Sequence, residues 1–293
     1  MLDETEPRSR GSHRPRRVAV GEFDGVHLGH REVIRGSDTV LTFEPHPLQV
    51  IRPEAAPKLL TSLDVKSELI AALGVEELVV IPFDRGFAEQ TPAEFIDRVL
   101  VERLGAERVA VGENFRFGHG AAGDTAMLAA DPRFETRVVP LVEVGDEVVS
   151  SSHIRGLVLA GEVELAAEFL GAPFQLRGLV VTGDRRGREL GFPTANIVPD
   201  QALVYPGNGV YAARADGACA AVSVGVRPTF GTGRAVLIEV YVIDQDIDLY
   251  GRTLRVEFLQ RLRGERRFDS VEALVEQMHR DVDETRAICA AAA

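Results

Sequence analysis

The sequence predicts an α/β domain followed by an antiparallel β domain that ends in one helix. Between residues 17 and 171, short apolar runs typical of strands alternate with helical segments, an order that predicts a parallel sheet with helices on its faces. After residue 171, consecutive apolar runs without intervening helices predict an antiparallel barrel or sandwich. The C-terminal residues return to a helical pattern, for which Asp269 and Glu272 form the expected cap.

The first domain is expected over residues 17–171, after a charged segment, 1–16, that we interpret as a flexible tail. Its clearest helix starts with Thr91 as N-cap, Pro92 as the first helical residue and Glu94 completing a capping box. Helices are also expected at 62–74 and, as one or two helices, at 150–171. The expected strands are 17–21, 39–43, 77–83 and 108–112. Because ligands of parallel sheets bind at the carboxyl ends of the strands, a site is expected at that edge.

The second domain is expected over residues 172–293. Its apolar runs are short and are joined by turns rich in glycine and proline, as in antiparallel folds. The expected strands are 175–183, 209–215, 219–225, 237–243 and 253–259.

Composition excludes several classes of function. A net charge of -12 argues against a nucleic-acid-binding protein, and no apolar run is long enough to span a membrane. The first 17 residues lack the apolar core of a signal peptide. Cys219 is expected as buried packing and Cys289 as a terminal residue, with no disulfide between them, which favours a reducing cytoplasm. The expected partners are therefore small molecules, with a homo-oligomer left open.

The motif GEFDGVHLGH, residues 21–30, follows a strand and leads into a helix. Glycines let the backbone approach a bulky anion, and histidines there can donate hydrogen bonds to phosphate oxygens. A pair of metal ligands or of structural histidines is the alternative for His27 and His30, but no third ligand lies nearby in the sequence. We therefore interpret the motif as a phosphate-binding loop.

A second motif, GDRRGRELGFPTANI at 183–197, opens the β domain. Its glycine-rich turn with three arginines is suited to cover a nucleotide. Thr194 and Asn196 are neutral oxygen ligands two residues apart, which places both on one face of an extended strand. Such ligands suit Mg²⁺, which completes its coordination with phosphate and water. Polar caps of a turn are the alternative interpretation.

Taken together, these motifs resemble one family. FDGVHLGH, TFEPHP, GENFRFGHGAAGD and SSSHIR are similar, in this order, to the flavin-specific branch of the nucleotidylyltransferases. GRELGFPTANI and the segments after it resemble riboflavin kinase. The chain is thus identified as resembling the bacterial bifunctional riboflavin kinase/FMN adenylyltransferase (FAD synthetase) family. The resemblance implies a Rossmann-like nucleotidylyltransferase domain and a riboflavin-kinase β-barrel with a terminal helix.

The resemblance also implies the reactions and the residues that perform them. Riboflavin would be phosphorylated to FMN in the second domain, and FMN adenylylated to FAD in the first, with ATP as co-substrate and Mg²⁺ as cofactor. Glu239 would be the general base of the kinase, and Asn114 would contact the flavin of the adenylyltransferase. The ATP-binding residues implied for the adenylyltransferase are Gly21, Phe23, Asp24, Gly25, His27, His30, Ser151, Ser152 and Arg155. Of these, His27 and His30 would also be catalytic, by stabilising the transition state. Those implied for the kinase are Gly183, Arg188, Gly191, Pro193, Thr194 and Asn196, with Thr194 and Asn196 also binding Mg²⁺.

Two features depart from the family pattern. Only eleven residues separate His30 from Thr42, which leaves about two helical turns after the histidines. Glu22 stands where the family more often has a neutral residue, and a carboxylate beside a triphosphate is unfavourable unless it is compensated. A riboflavin kinase with an inactive first domain and a non-catalytic flavin-binding regulator are therefore the alternatives. For Ser151 and Ser152 the alternative role is capping a helix.

Overall fold

The computed structural model describes residues 15–181, 190–229, 233–245 and 249–292. The chain divides into two compact units. The first consists of Met1–Pro57 and Leu63–Glu143, and the second of Lys58–Ser62 and Val144–Ala293. The predicted domain boundary after residue 171 stays a prediction.

The first unit is built on a five-stranded parallel sheet of order β3-β2-β1-β4-β5, which confirms the predicted α/β class. Its strands are β1 Arg16–Val20, β2 Thr39–Glu44, β3 Glu77–Pro82, β4 Ala106–Gly112 and β5 Glu135–Val139. β1 thus begins one residue earlier than predicted. The strand order changes direction between β1 and β4, and in sheets of this kind ligands bind at the carboxyl ends of the strands at that point.

Short helices connect these strands. They are α1 Leu28–Ile34, α2 Pro47–Ile51, α3 Leu63–Ala71, α4 Arg85–Ala88, α5 Pro92–Glu94 and α6 Thr125–Ala129. Single turns of 3₁₀-helix lie at Pro53–Ala55 and His119–Ala121. The capping box of Thr91 and Glu94 is confirmed, with Pro92 in the first turn. After α5 the chain continues directly as a π-helix, Phe95–Arg103, a wider winding for which the sequence has no signal.

Two apolar clusters cover the two faces of the sheet. One contains Val20, Leu41 and Val111 with the π-helix residues Phe95 and Leu100. The other packs α1 and α3 against the opposite face. Burial of both faces explains why β1, β2 and β4 are apolar runs rather than alternating patterns.

The second unit is a closed antiparallel barrel of order β10-β11-β12-β9-β8-β13, so the barrel prediction is confirmed over the sandwich. The barrel strands are β8 Phe174–Val181, β9 Ala195–Pro199, β10 Gly209–Ala215, β11 Ala218–Thr229, β12 Gly233–Val242 and β13 Thr253–Arg263. A small hairpin precedes them, β6 Glu143–Val144 and β7 Glu147–Val148. The helices are α7 Ser151–Ala160, α8 Val163–Leu170 and the terminal α9 Val271–Ala291.

Glycines end both helices that precede the barrel. α7 stops at Gly161 and α8 at Gly171, and both glycines adopt the left-handed conformation that closes a helix without a Cβ clash. The segment 150–171 is therefore two helices.

The structure corrects two expectations about the C-terminal region. Cys219 of β11 and Cys289 of α9 form a disulfide with Cα atoms 5.9 Å apart, so the expectation of unpaired cysteines is wrong. Packing of α9 on the barrel brings together positions 70 residues apart, which no local pattern shows. The cap of α9 is Ser270 rather than Asp269, because the Ser270 Oγ accepts the hydrogen bond from the Ala273 amide.

Candidate functional site

The loop between β1 and α1 has an unusual backbone. Phe23 and Val26 adopt positive φ angles of 53° and 43°, and Val26 is a β-branched residue for which this region is a clear outlier. The Arg31 Nε donates to the Val26 carbonyl oxygen at 3.1 Å and so holds the turn. Strained backbone that the surrounding contacts enforce is typical of a functional loop.

His27 and His30 lie against each other at the end of this loop. Their rings stack with centroids 3.5 Å apart, and His27 is buried. The His27 Nδ1 accepts the hydrogen bond from the His30 amide, so the neutral His27 ring has its proton on Nε2. Burial, followed by the neighbouring His27 and Lys66, lowers the pKa of His30 well below its usual value. His30 is therefore neutral before a nucleotide arrives.

The His30 Nδ1 is buried and has no hydrogen-bond partner among the described residues. An unsatisfied buried nitrogen is unfavourable unless a ligand completes its hydrogen bonds. The His30 Nδ1 thus leaves one hydrogen bond for a ligand to complete. Within the described ranges no three His, Cys, Asp or Glu side chains form a metal-binding group.

The structure also places the other loop residues that were predicted to bind this nucleotide. The Phe23 side chain belongs to the apolar core, and Asp24 is almost fully buried. Gly25 has a φ of 84°, a conformation that favours glycine in the turn before His27. At Phe23, Asp24 and Gly25 a nucleotide would therefore meet the backbone rather than the side chains.

Sequence reasoning missed a lysine beside the histidines. Lys66 of α3 is only 2% exposed, and it interacts electrostatically with both Glu22 and His30. The available signal was its place four residues before Ile70, on the buried face of an amphipathic helix. Lys66 thus places a buried basic side chain beside Glu22 and His30.

The sequence leaves room for only a short helix after the histidines. α1 has seven residues, which confirms the estimate of about two turns. Arg137 of β5 was not expected here: its guanidinium donates to the carbonyl oxygens of Glu32 and Arg35. These bonds satisfy acceptors at the C-terminal end of α1, and Val33 and Ile34 are buried beneath it. The helix is therefore short but well supported.

An apolar cavity of about 680 Å³ lies in the same unit. Six phenylalanines line it, namely Phe43, Phe83, Phe87, Phe95, Phe115 and Phe117. Asn114, the predicted flavin contact, is exposed at the carboxyl end of β4 and is not part of the lining, whereas its neighbour Phe115 is. Aromatic walls of this kind suit a flat ring system.

Ser151, Ser152 and Arg155 lie at the start of α7, which belongs to the second compact unit. The helix cap is Ser150, whose Oγ accepts the hydrogen bond from the His153 amide, so the alternative that Ser151 or Ser152 caps the helix is wrong. The Arg155 Nη1 donates to the Ser152 Oγ at 3.3 Å. A role of these residues at the triphosphate stays a prediction.

In the barrel, three polar side chains stand on adjacent strands. Glu239 of β12 pairs in register with Asn196 of β9 and, on its other side, with Ser223 of β11. Residues directly opposite on neighbouring strands share one face of the sheet, so these side chains are neighbours. Asn196 is buried, and β9 begins just after Thr194. The structure thus brings Asn196 and Glu239 together, and Ser223 is a member that the sequence did not indicate.

Glu239 and Thr194 also line a cavity of about 270 Å³. The apolar part of its wall includes Phe192, whose ring meets Tyr241 edge to face. Gly191 and Pro193 are exposed in the segment before β9, while the predicted Gly183 and Arg188 lie outside the described residues. A carboxylate inside a small cavity, with neutral oxygens beside it, is suited to accept a proton from a bound hydroxyl group.

A buried ion pair forms part of the same cavity wall. Arg263 of β13 and Asp281 of α9 are 2.7 Å apart, with side chains 11% and 6% exposed, and Gln277 donates a further hydrogen bond to Asp281. The sequence did not indicate this pair, because its members are in different elements.

We expect Asp281→Asn to lower the free energy of unfolding by about 3 kcal/mol, since it leaves the Arg263 guanidinium buried without its counter-charge. Asp283→Asn is the matched control on the same helix, because Asp283 pairs with Arg286 in an exposed position and should change stability by under about 1 kcal/mol. Urea unfolding of both variants measures the difference. Equal effects would show that the buried pair has no special role in stability.

Fold and sites together define a class of protein. One unit is a parallel α/β domain in which two stacked histidines follow β1, and the other is a closed barrel with a carboxylate lining a cavity. Residues 9–153 match the family model of FAD synthetase, and residues 170–289 match that of riboflavin kinase. The chain belongs to the bifunctional riboflavin kinase/FMN adenylyltransferase family and contains both of its domains.

Individual relatives agree with this assignment over nearly the whole chain. The bifunctional riboflavin kinase/FMN adenylyltransferase of Listeria monocytogenes is 39% identical over 292 residues, covering 93% of this chain and 92% of the relative. That of Escherichia coli strain K12 is 37% identical, with 90% of each chain covered. A crystal structure described as a macrolide-efflux protein from Streptococcus pneumoniae superposes with a TM-score of 0.85 at 33% identity, covering 93% and 94% of the two chains. That structure shares the fold, and its description applies to that protein alone.

In the described parts of this chain, no helix is both long and apolar enough to cross a bilayer.

Proposed function

We propose that the barrel phosphorylates riboflavin to FMN and that the α/β unit adenylylates FMN to FAD with release of pyrophosphate. The observation on which this rests most is that each unit has its own polar cluster: the stacked His27 and His30 in one, and Glu239 in register with Asn196 in the other. Two separate clusters of different chemistry fit two reactions better than one.

In the kinase reaction, Glu239 accepts the proton of the ribityl 5′-hydroxyl as that oxygen attacks the γ-phosphorus of ATP, and ADP leaves. The carboxylate and Thr194 line the same cavity. Thr194 and Asn196 are the residues that would bind Mg²⁺, because neutral oxygens beside phosphates fit its preferences. Bound there, Mg²⁺ would neutralise charge on the phosphates.

In the adenylyltransferase reaction, an FMN phosphate oxygen attacks the α-phosphorus of ATP, and the bond to pyrophosphate breaks. No covalent intermediate is needed, because the task is to bring two anions together and stabilise the charge on the transferred group. His27 donates through Nε2, and His30 through the nitrogen that bears its proton. Lys66 supplies a positive charge from beneath, and Ser151, Ser152 and Arg155 are proposed to bind the triphosphate.

The phenylalanine-lined cavity is proposed as the binding site of the flavin ring in the first unit. Phe115→Ala should raise the KM for FMN in FAD formation about tenfold, because one aromatic wall of the ring site is lost. The measurement is FAD formation from FMN and MgATP. Leu141→Ala, an exposed apolar residue of the same unit outside the cavity, is the control and should not change KM. An unchanged KM in the Phe115 variant would place the flavin elsewhere.

One assay tests the whole proposal. The purified protein is incubated with riboflavin and MgATP, and FMN and FAD are separated by chromatography. Both products are expected in sequence. FMN without FAD would favour a kinase with an inactive first domain, and no product at all would favour a non-catalytic flavin-binding protein.

Other properties follow from this proposal or stay open to test. A division at residue 171 into two functional domains, a cytoplasmic location and a possible homo-oligomer are predictions. The cysteine pattern does not support the location, because Cys219 and Cys289 form a disulfide.

A further inference from the structure

Glu22 is an acidic residue of the loop between β1 and α1. The proposed reaction gives this residue no role. Glu22 lies two residues after the end of β1, and its backbone carbonyl accepts a hydrogen bond from the Thr42 Oγ1 of β2 at 3.1 Å, which holds this part of the loop against β2. Its Oε1 is buried without a hydrogen-bond partner in the described part of the chain. The His30 Nδ1 is buried in the same condition. Two unsatisfied polar atoms in one motif, Glu22 in the loop and His30 in the first turn of α1, indicate that a ligand completes them.

Charges from three neighbouring elements face this carboxyl group. Lys66 of α3 favours its ionisation, whereas Asp24 of the loop and Glu44 of β2 oppose it. Burial is the strongest influence, and together these effects raise the pKa of Glu22 to about 8. The site thus contains one buried ammonium group and three carboxyl groups, of which Glu22 retains its proton near neutral pH.

We propose that Glu22 is a nucleotide-binding residue of the first unit and contacts a phosphate oxygen as a neutral carboxylic acid that donates a hydrogen bond. An ionised carboxylate at this place would repel the triphosphate, whereas the acid offers an O–H donor to it. Its proton thereby removes the repulsion that the sequence predicted for this position. The inference rests on the proposed adenylyltransferase function.

The test is the pH dependence of the KM for ATP in FAD formation from FMN. For the wild type we expect KM to be constant to about pH 8 and then to rise, by about tenfold at pH 9, as the acid loses its proton. Glu22→Gln should raise KM about twofold at pH 7 but show no rise above pH 8, because the amide cannot ionise. Glu22→Ala should raise KM about fivefold at pH 7, because the donor is lost.

Two controls separate this effect from general ones. Riboflavin phosphorylation by the same protein also uses MgATP. Its pH dependence therefore shows any effect of pH on the nucleotide itself. Glu113→Gln removes an exposed carboxylate at the same edge of the sheet and should follow the wild-type profile. A wild-type KM that is constant to pH 9, or a Glu22→Gln variant with the wild-type profile, overturns the proposal. Absence of FAD at every pH in all variants would instead overturn the proposed function.

A second measurement tests the neutral state without any substrate. Between pH 4.5 and about 8, the folded wild type retains a proton that the unfolded chain has released, so its stability falls as pH rises through this window. Below the window both states are protonated, and above it both are ionised. Relative to Glu22→Gln, the unfolding equilibrium constant of the wild type should therefore increase about tenfold per pH unit within the window. Parallel pH profiles in urea unfolding would show that Glu22 is ionised in the folded protein.

Discussion

Glu239→Gln is expected to slow riboflavin phosphorylation by about 10³-fold while FAD formation from FMN continues. The amide keeps the size of the side chain and its place opposite Asn196 and Ser223 but cannot accept a proton from the attacking hydroxyl, and loss of a general base costs about 10²- to 10⁴-fold. Product analysis after incubation with riboflavin and MgATP measures the first rate. Incubation with FMN and MgATP measures the second.

Glu257→Gln provides the matched control for this experiment. Glu257 is also a half-buried strand residue of the barrel, on β13, but it does not line the cavity. It should retain the wild-type rate of phosphorylation. If Glu239→Gln and Glu257→Gln were equally active, another group would have to be the base of the kinase.

Local chemistry made much of the first unit predictable. The capping box of Thr91 and Glu94 depends on residues three apart, and a seven-residue α1 follows from the short distance between His30 and the next strand. The loop geometry was not predictable in this way. Positive φ angles at Phe23 and Val26 belong to residues that rarely adopt them, and they arise from surrounding contacts such as that of Arg31 with Val26.

The other features that were not predictable depend on contacts between segments that are distant in the sequence. The sequence indicated Asn196 and Glu239 separately, but their register pairing depends on which strands meet in the barrel. The support of α1 by Arg137, the pairing of Arg263 with Asp281 and the disulfide join residues that are far apart in the chain. Only the motif resemblance linked Asn196 and Glu239 in advance, as residues of one kinase site. Spacing alone predicts partners within an element, not between elements.

The histidine pair of the first unit leads to the second prediction. His27→Ala and His30→Ala should each slow FAD formation from FMN about 10²- to 10³-fold, because each removes one donor to the charge that develops on the transferred phosphoryl group. Since the rings stack at 3.5 Å and His27 also accepts from the His30 amide, each substitution disturbs the other ring. The double variant should therefore lose less than the product of the two single effects.

Internal and matched controls make the histidine result specific. Riboflavin phosphorylation by the same variants should keep the wild-type rate, because the proposed kinase site lies in the other unit. Glu32→Gln changes a side chain of the same short helix whose ion pair with Arg35 is on the surface, and it should leave FAD formation unchanged. Full FAD formation by His27→Ala would show that the loop does not bind the reacting phosphates. In that case the strained backbone and the unsatisfied His30 nitrogen would need another ligand.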